Sequence, residues 1–152
     1  MRIKQRCALL FGLVLSLMMQ GCAYKWVAKY DAALVVETLV VAKQVDRFYG
    51  HLIESPHSHR PYENYKTEYI DIEVNLRSLM LQHKTRSLND ESIAIAQITL
   101  DKWLKYKQAH QEKDSYKTVL ANNHRARMTR LFTAMVVAEE AKNMYQDQSS
   151  DE

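Results

Sequence analysis

The sequence predicts an all-α chain: an up-down-up-down four-helix bundle behind a separate N-terminal segment. Three observations predict it. The 152 residues include only three glycines, Gly12, Gly21 and Gly50, and two prolines, Pro56 and Pro61. Strand-rich folds need many turn residues, so this scarcity points to long helices. Apolar side chains then recur at steps of three and four along four successive stretches, the period of a buried helix face. Finally, the polar breaks between those stretches are short, which makes consecutive helices antiparallel neighbours. A three-helix arrangement with one helix broken is the alternative.

The first helix is expected from about Ala32 to Glu54, with Asp31 as its N-cap. Leu34, Val41, Val45, Phe48 and Leu52 form its apolar face. Val35, Val36, Leu39 and Val40 widen that face, which predicts the most buried helix of the set. Gly50 weakens its last turns by about 1 kcal/mol relative to alanine. "SPHSHRP" then reads as a turn closed by Pro56 and Pro61.

The second helix is expected from Tyr62 to His83. Tyr62, Tyr65, Tyr69, Ile72, Leu76, Leu79 and His83 alternate steps of three and four, a seam for packing on neighbours. Glu73 and Arg77 sit i,i+4 on its outside. "TRSLND" is a loop, and Asn89 is placed to cap the third helix, with Asp90 and Glu91 complementing its dipole. That helix carries Ile93, Ala96, Leu100, Trp103 and Leu104 inward and frays near Gln111. The fourth starts at Asp114 or Ser115, with Val119, Leu120, Met128, Leu131, Phe132, Met135 and Ala138 on its inner side. The bundle domain is thus expected over 31–145. "QDQSSDE", residues 146–152, reads as a disordered acidic tail.

The chain begins with a basic start, Arg2, Lys4 and Arg6, followed by an apolar run over 7–19. A bilayer-spanning helix needs about 20 apolar residues, so this run is short for a span. A basic start followed by such a run is the pattern of a secretory signal. Together with Met19-Gln20-Gly21-Cys22, the leader resembles a bacterial lipoprotein signal with its lipobox. The resemblance implies a signal peptide over 1–21, cleavage before Cys22, a thioether-linked lipid (palmitate-type acylation included) on Cys22, and a tether over 22–30. Ala23 follows the cysteine, so in a Gram-negative cell the resemblance implies the periplasmic face of the outer membrane. Read without it, the same segment also fits an uncleaved anchor running into 23–28, or a plain cleaved secretory signal. The mature part bears a second likeness. Tyr30-Asp31 before a helix, a tyrosine-bearing second helix and a last helix ending "LFTAMVVAEEAK" resemble small uncharacterised helical bacterial lipoproteins, which implies a helical fold and no assigned activity.

The two cysteines are Cys7 and Cys22. Cleavage removes one and lipid occupies the other, so the mature chain is expected to have no disulfide and no thiolate site. Formal charge is +3 over the whole chain, with 21 basic and 18 acidic residues. Arg2, Lys4 and Arg6 account for the excess, so the mature part is formally neutral. That balance carries no electrostatic footprint for nucleic acid.

Candidate site residues are few. Trp26 and Lys25 suit a membrane headgroup region. Arg125, Arg127 and Arg130 form a basic strip suited to an acidic partner or lipid headgroups. The assumed topology gathers His51, His57, His59 and His110 at the end far from the tether, with His124 about two turns below. An H-x-H pair with a third imidazole nearby can hold zinc or copper or respond to acid pH; solvated histidines in an ordinary turn are the plain alternative. With Gly50 as the single glycine after Cys22, a P-loop, G-x-G-x-x-G and a nucleophile elbow are excluded, and H-E-x-x-H is absent. The expectation is a non-enzymatic, lipid-anchored envelope protein that binds or holds a partner, without a cofactor beyond its lipid. A small-ligand, metal-binding or pH-responsive module on the far histidines is the alternative.

Overall fold

The computed structural model describes residues 27–150, with side chains described to residue 146. The lipobox, Cys22, Lys25 and Trp26 lie outside the described residues. Within them there are four long helices: α1 (Ala32–Glu54), α2 (Lys66–Lys84), α3 (Asp90–Lys113) and α4 (Thr118–Ser150). Two short 3-10 turns, His57–His59 and Tyr62–Tyr65, join α1 to α2. α1 packs on α2 and α4, and α3 packs on the same two helices from the other side. The chain is therefore an antiparallel four-helix bundle, as the sequence predicts.

Asp31 caps α1 as expected, its carboxylate accepting from the Ala33 and Leu34 amides at 3.0 and 3.2 Å. The α2 seam is buried along its whole length, from Tyr62 to His83. Its first turn, Tyr62–Tyr65, is 3-10 rather than α. Phe48 sits at the centre of an aromatic core, with its ring 4.6 Å from Tyr69 and 5.1 Å from both Tyr49 and Trp103. Each such side chain contributes about 1.5–3 kcal/mol on burial. Glu73 pairs with Arg77 at 2.7 Å and also reaches Lys107 of α3 at 2.9 Å, which joins the two helices at their surface.

Several expectations are corrected. Val36, Leu39 and Val40 are 61%, 52% and 48% exposed, so α1 buries one stripe rather than a broad face. Val119 is 73% exposed, because the inward position in the first turn of α4 falls on Ala121, which is fully buried. Asp114 does not open α4. It ends α3 in the left-handed conformation (φ 46°), and its carboxylate accepts from the Tyr62 amide at 2.8 Å. Asn89 occupies the position before α3, but its side chain caps nothing there. Its amide is drawn instead to the His83 carbonyl, at 2.9 Å, and to Lys142. α4 is helical to Ser150, so it takes in residues 146–150 of the segment read as a disordered tail.

Candidate functional site

Three places hold the chemistry-bearing side chains. The first is the far end, where the 55–65 segment meets the α3–α4 connection. Arg60 is buried there, and neutral oxygens accept from all three of its guanidinium nitrogens. Its guanidinium donates to the carbonyls of Ile53 and Ser55 at 2.7 Å, to the Tyr116 carbonyl at 3.2 Å and to the Thr118 hydroxyl at 2.9 Å. Two of those carbonyls belong to the C-terminal end of α1, whose dipole favours a cation. His110 is also buried. Its Nε2 lies 2.9 Å from the Arg60 carbonyl, which can only accept, so Nε2 carries the proton. Nδ1 then accepts from the Tyr69 hydroxyl at 3.1 Å. Burial lowers the pKa of His110 and keeps it neutral, against smaller opposing effects of the Arg60 carbonyl and Asp114.

This geometry bears directly on the histidine expectation. His110 has both ring nitrogens committed to protein. His51 pairs with Glu68 at 3.2 Å on the surface, and His57 and His59 are exposed in the first 3-10 turn. Among the described residues no group of three or more His, Cys, Asp and Glu side chains is placed to hold a metal ion. The four histidines share one end of the bundle but are not assembled into a ligand set.

The second place is the opposite end. Glu139, 2% exposed, accepts from both nitrogens of Arg86 at 2.8 and 2.9 Å, from Lys142 at 2.7 Å and from the Asp31 amide at 2.9 Å. Lys142 also donates to Asn89 and to Ser92, the latter at 2.9 Å. Arg86 further donates to the Lys29 carbonyl, the Ala28 amide to the Leu88 carbonyl at 2.9 Å, and the Tyr30 hydroxyl to Glu140 at 3.2 Å. Leu88 adopts a left-handed φ of 58°, which turns its carbonyl to meet Ala28. The last residues of the expected tether are thus fastened to the bundle. Burial alone raises the Glu139 pKa, but the hydrogen bonds from Arg86 and Lys142 outweigh it and hold the carboxyl below its ordinary range.

The third place is a groove of about 600 Å³ between α3 and α4. Lys102 and Lys105 line it from α3, and Arg127 and Arg130 from α4. Each pair is spaced i,i+3, which puts both members on one helix face. None of these four cations pairs with a carboxylate among the described residues, and no acidic side chain lines the groove. Tyr106 and His124 form a stack within it, with ring centroids 3.5 Å apart and planes 7° from parallel. The Tyr116 hydroxyl bonds to His124 Nδ1. A phenol is a stronger acid than a neutral imidazole, so the hydroxyl donates and the ring proton sits on Nε2. Burial, together with the Arg127 charge, pushes the pKa of His124 down to about 4.

The predicted arginine strip is therefore split. Arg127 and Arg130 face the groove, whereas Arg125 turns to α1 and makes a two-pronged bond with Asp46 at 2.6 and 2.8 Å. Residues two apart on a helix lie on nearly opposite sides, which separates Arg125 from Arg127. Sequence reasoning missed Lys102 and Lys105. Their i,i+3 spacing was visible, but only the pairing of α3 with α4 brings them opposite the arginines.

The fold and this groove define an antiparallel helical bundle with an open basic cleft on one side. No family model, curated protein or solved structure matches the chain.

Proposed function

We propose that this chain is a lipid-anchored, non-enzymatic binding protein of the bacterial envelope, held to the membrane through Cys22 and engaging an anionic partner through the α3–α4 groove. The observation that supports the binding role is the groove itself: four cations converge with no counter-charge of their own. Unpaired like charges gathered on one surface repel each other, and an anion relieves that repulsion as it binds. Lys102 lies twelve residues into α3, about 18 Å along the axis at 1.5 Å per residue. The fastened end carries the tether in this reading, so the groove stands more than a Debye length, about 8 Å, above the bilayer surface. That height favours a partner in the aqueous compartment over the headgroups of the anchoring membrane.

The test is crosslinking of the lipidated protein in its native envelope, alongside a variant carrying Lys105→Gln, Arg127→Gln and Arg130→Gln. The wild type is expected to capture an acidic component in a salt-sensitive manner, the groove variant to lose it, and a His57→Ala, His59→Ala variant to keep it. Equal capture by wild type and groove variant sinks the groove as the binding surface. The histidine-based metal reading gains no support from a buried His110 with both nitrogens occupied.

A further inference from the structure

We propose that the groove is a site for a tetrahedral oxyanion, of the phosphate or sulfate class, seated over the His124–Tyr106 stack and taking up a proton on His124 as it binds. The inference rests on the binding reading above and names the chemical group that the groove recognises.

The donors surround the stack from two sides. Lys102 and Lys105 supply point charges from α3, while Arg127 and Arg130 supply planar forks from α4. A fork matches two oxygens at once, and point charges take the remaining ones. A tetrahedral oxyanion presents oxygens in several directions, so donors on opposite walls are used together. A planar carboxylate can also bridge two walls, as Glu73 does, but its two oxygens lie in one plane and leave donors outside that plane unmet. His124 adds a donor in the groove lining. Its Nδ1 is taken by Tyr116, and no hydrogen bond among the described residues uses Nε2. Nε2–H therefore remains to meet an anion oxygen.

The charged and titratable groups facing His124 are Lys102, Lys105 and Tyr106 from α3, Tyr116 from the α3–α4 connection, and Arg127 and Arg130 from α4 itself. Every charge among them is positive, which disfavours a second proton on the ring. A bound dianion offsets two of those four charges and accepts from Nε2–H, which favours the imidazolium; the second proton enters on Nδ1 as the Tyr116 hydroxyl turns from donor to acceptor. Binding and protonation are then linked, and reciprocity requires that acid strengthen binding as much as binding strengthens the base.

Inorganic sulfate is the probe, because it keeps its charge across the range of histidine titration. Its affinity for the full-length protein in neutral detergent is measured at constant ionic strength, with the His124 ring followed by NMR. Sulfate is expected to bind about tenfold more tightly near pH 5 than near pH 7, with the His124 titration moved upward, as linkage to one proton allows. His124→Phe keeps a ring on Tyr106 and is expected to bind sulfate with no such pH dependence. Sulfate binding that is equal at both pH values, or a pH dependence that survives in His124→Phe, overturns the proton-linked site while leaving the groove as a binding surface. No sulfate binding at either pH, or binding unchanged by Arg127→Gln with Arg130→Gln, overturns the oxyanion site. A final arm adds phosphatidylglycerol to the detergent. A matching His124 shift assigns the oxyanion to a lipid headgroup, and its absence assigns it to a soluble ligand.

Discussion

Glu139 is the residue on which one end of the molecule turns. It is a buried carboxylate with two cationic partners, and removing one member of such a group leaves the others desolvated and unpaired. Glu139→Gln should therefore cost about 3 kcal/mol at neutral pH, measured by urea unfolding. The same carboxyl titrates below its ordinary range in the folded chain. Its contribution is thus present above the unfolded carboxylate pKa, near 4.5, and is lost as pH falls through the lower folded value. Wild type should lose stability steadily as pH falls from about 6 to about 3, and Glu139→Gln should show a flatter profile over that window. Equal slopes would falsify the assignment of Glu139 as a stabilising acid-sensitive group. The position was legible in the sequence. The α4 inner face runs 128, 132, 135, 139 and 142, so Glu139 and Lys142 continue the register of Met128, Phe132 and Met135. Reading only apolar letters moved the stripe to Ala138 and hid the charged pair.

At the scale of elements, periodicity identified helices better than it identified their ends. The α2 seam was readable residue by residue because each tyrosine and leucine falls on one face and that face meets two other helices. The breadth of the α1 face was overread, since Val36, Leu39 and Val40 are apolar but remain exposed. Helix ends were misread wherever a side chain found a better partner in the tertiary fold. Asp114 bonds to the Tyr62 amide and Asn89 to His83 and Lys142, and both Tyr62 and Lys142 are far away in sequence. Gly50 was read as a weak point. A Cβ placed there meets no atom within 4 Å, so nothing in the packing requires glycine. Gly50→Ala should stabilise the protein by about 1 kcal/mol through the lower backbone freedom of the unfolded chain. Thermal unfolding should register it as a rise of a few degrees, about 3 °C for a domain of this size. An unchanged or lower melting temperature would mean that the last turns of α1 need the glycine for a reason other than space.

For the whole molecule, net charge concealed what position revealed. The chain beyond Arg6 carries equal numbers of acidic and basic residues, which argued against any electrostatic footprint, yet its cations are unevenly placed. Several of the acids are spent elsewhere: Glu139 on Arg86 and Lys142, Glu73 on Arg77 and Lys107, Asp46 on Arg125. The α3–α4 groove gathers four cations that have no such partner, and composition does not show where a cluster of this kind sits. The anchored reading of the chain has its own direct measurement. Mass spectrometry of the mature protein should find an N-terminus at residue 22 carrying thioether-linked lipid, and an unmodified Cys22 would remove the anchor from the proposal. With that anchor in place, the fastening of residues 28–31 acquires a mechanical meaning. A load drawn along the tether reaches Ala28 on Leu88, Lys29 on Arg86 and Asp31 on Glu139 before it reaches the first turn of α1. Those bonds run to the α2–α3 loop and to α4, so tension is divided between these two parts of the bundle before it loads α1. The molecule resists being peeled open from the end by which it is held.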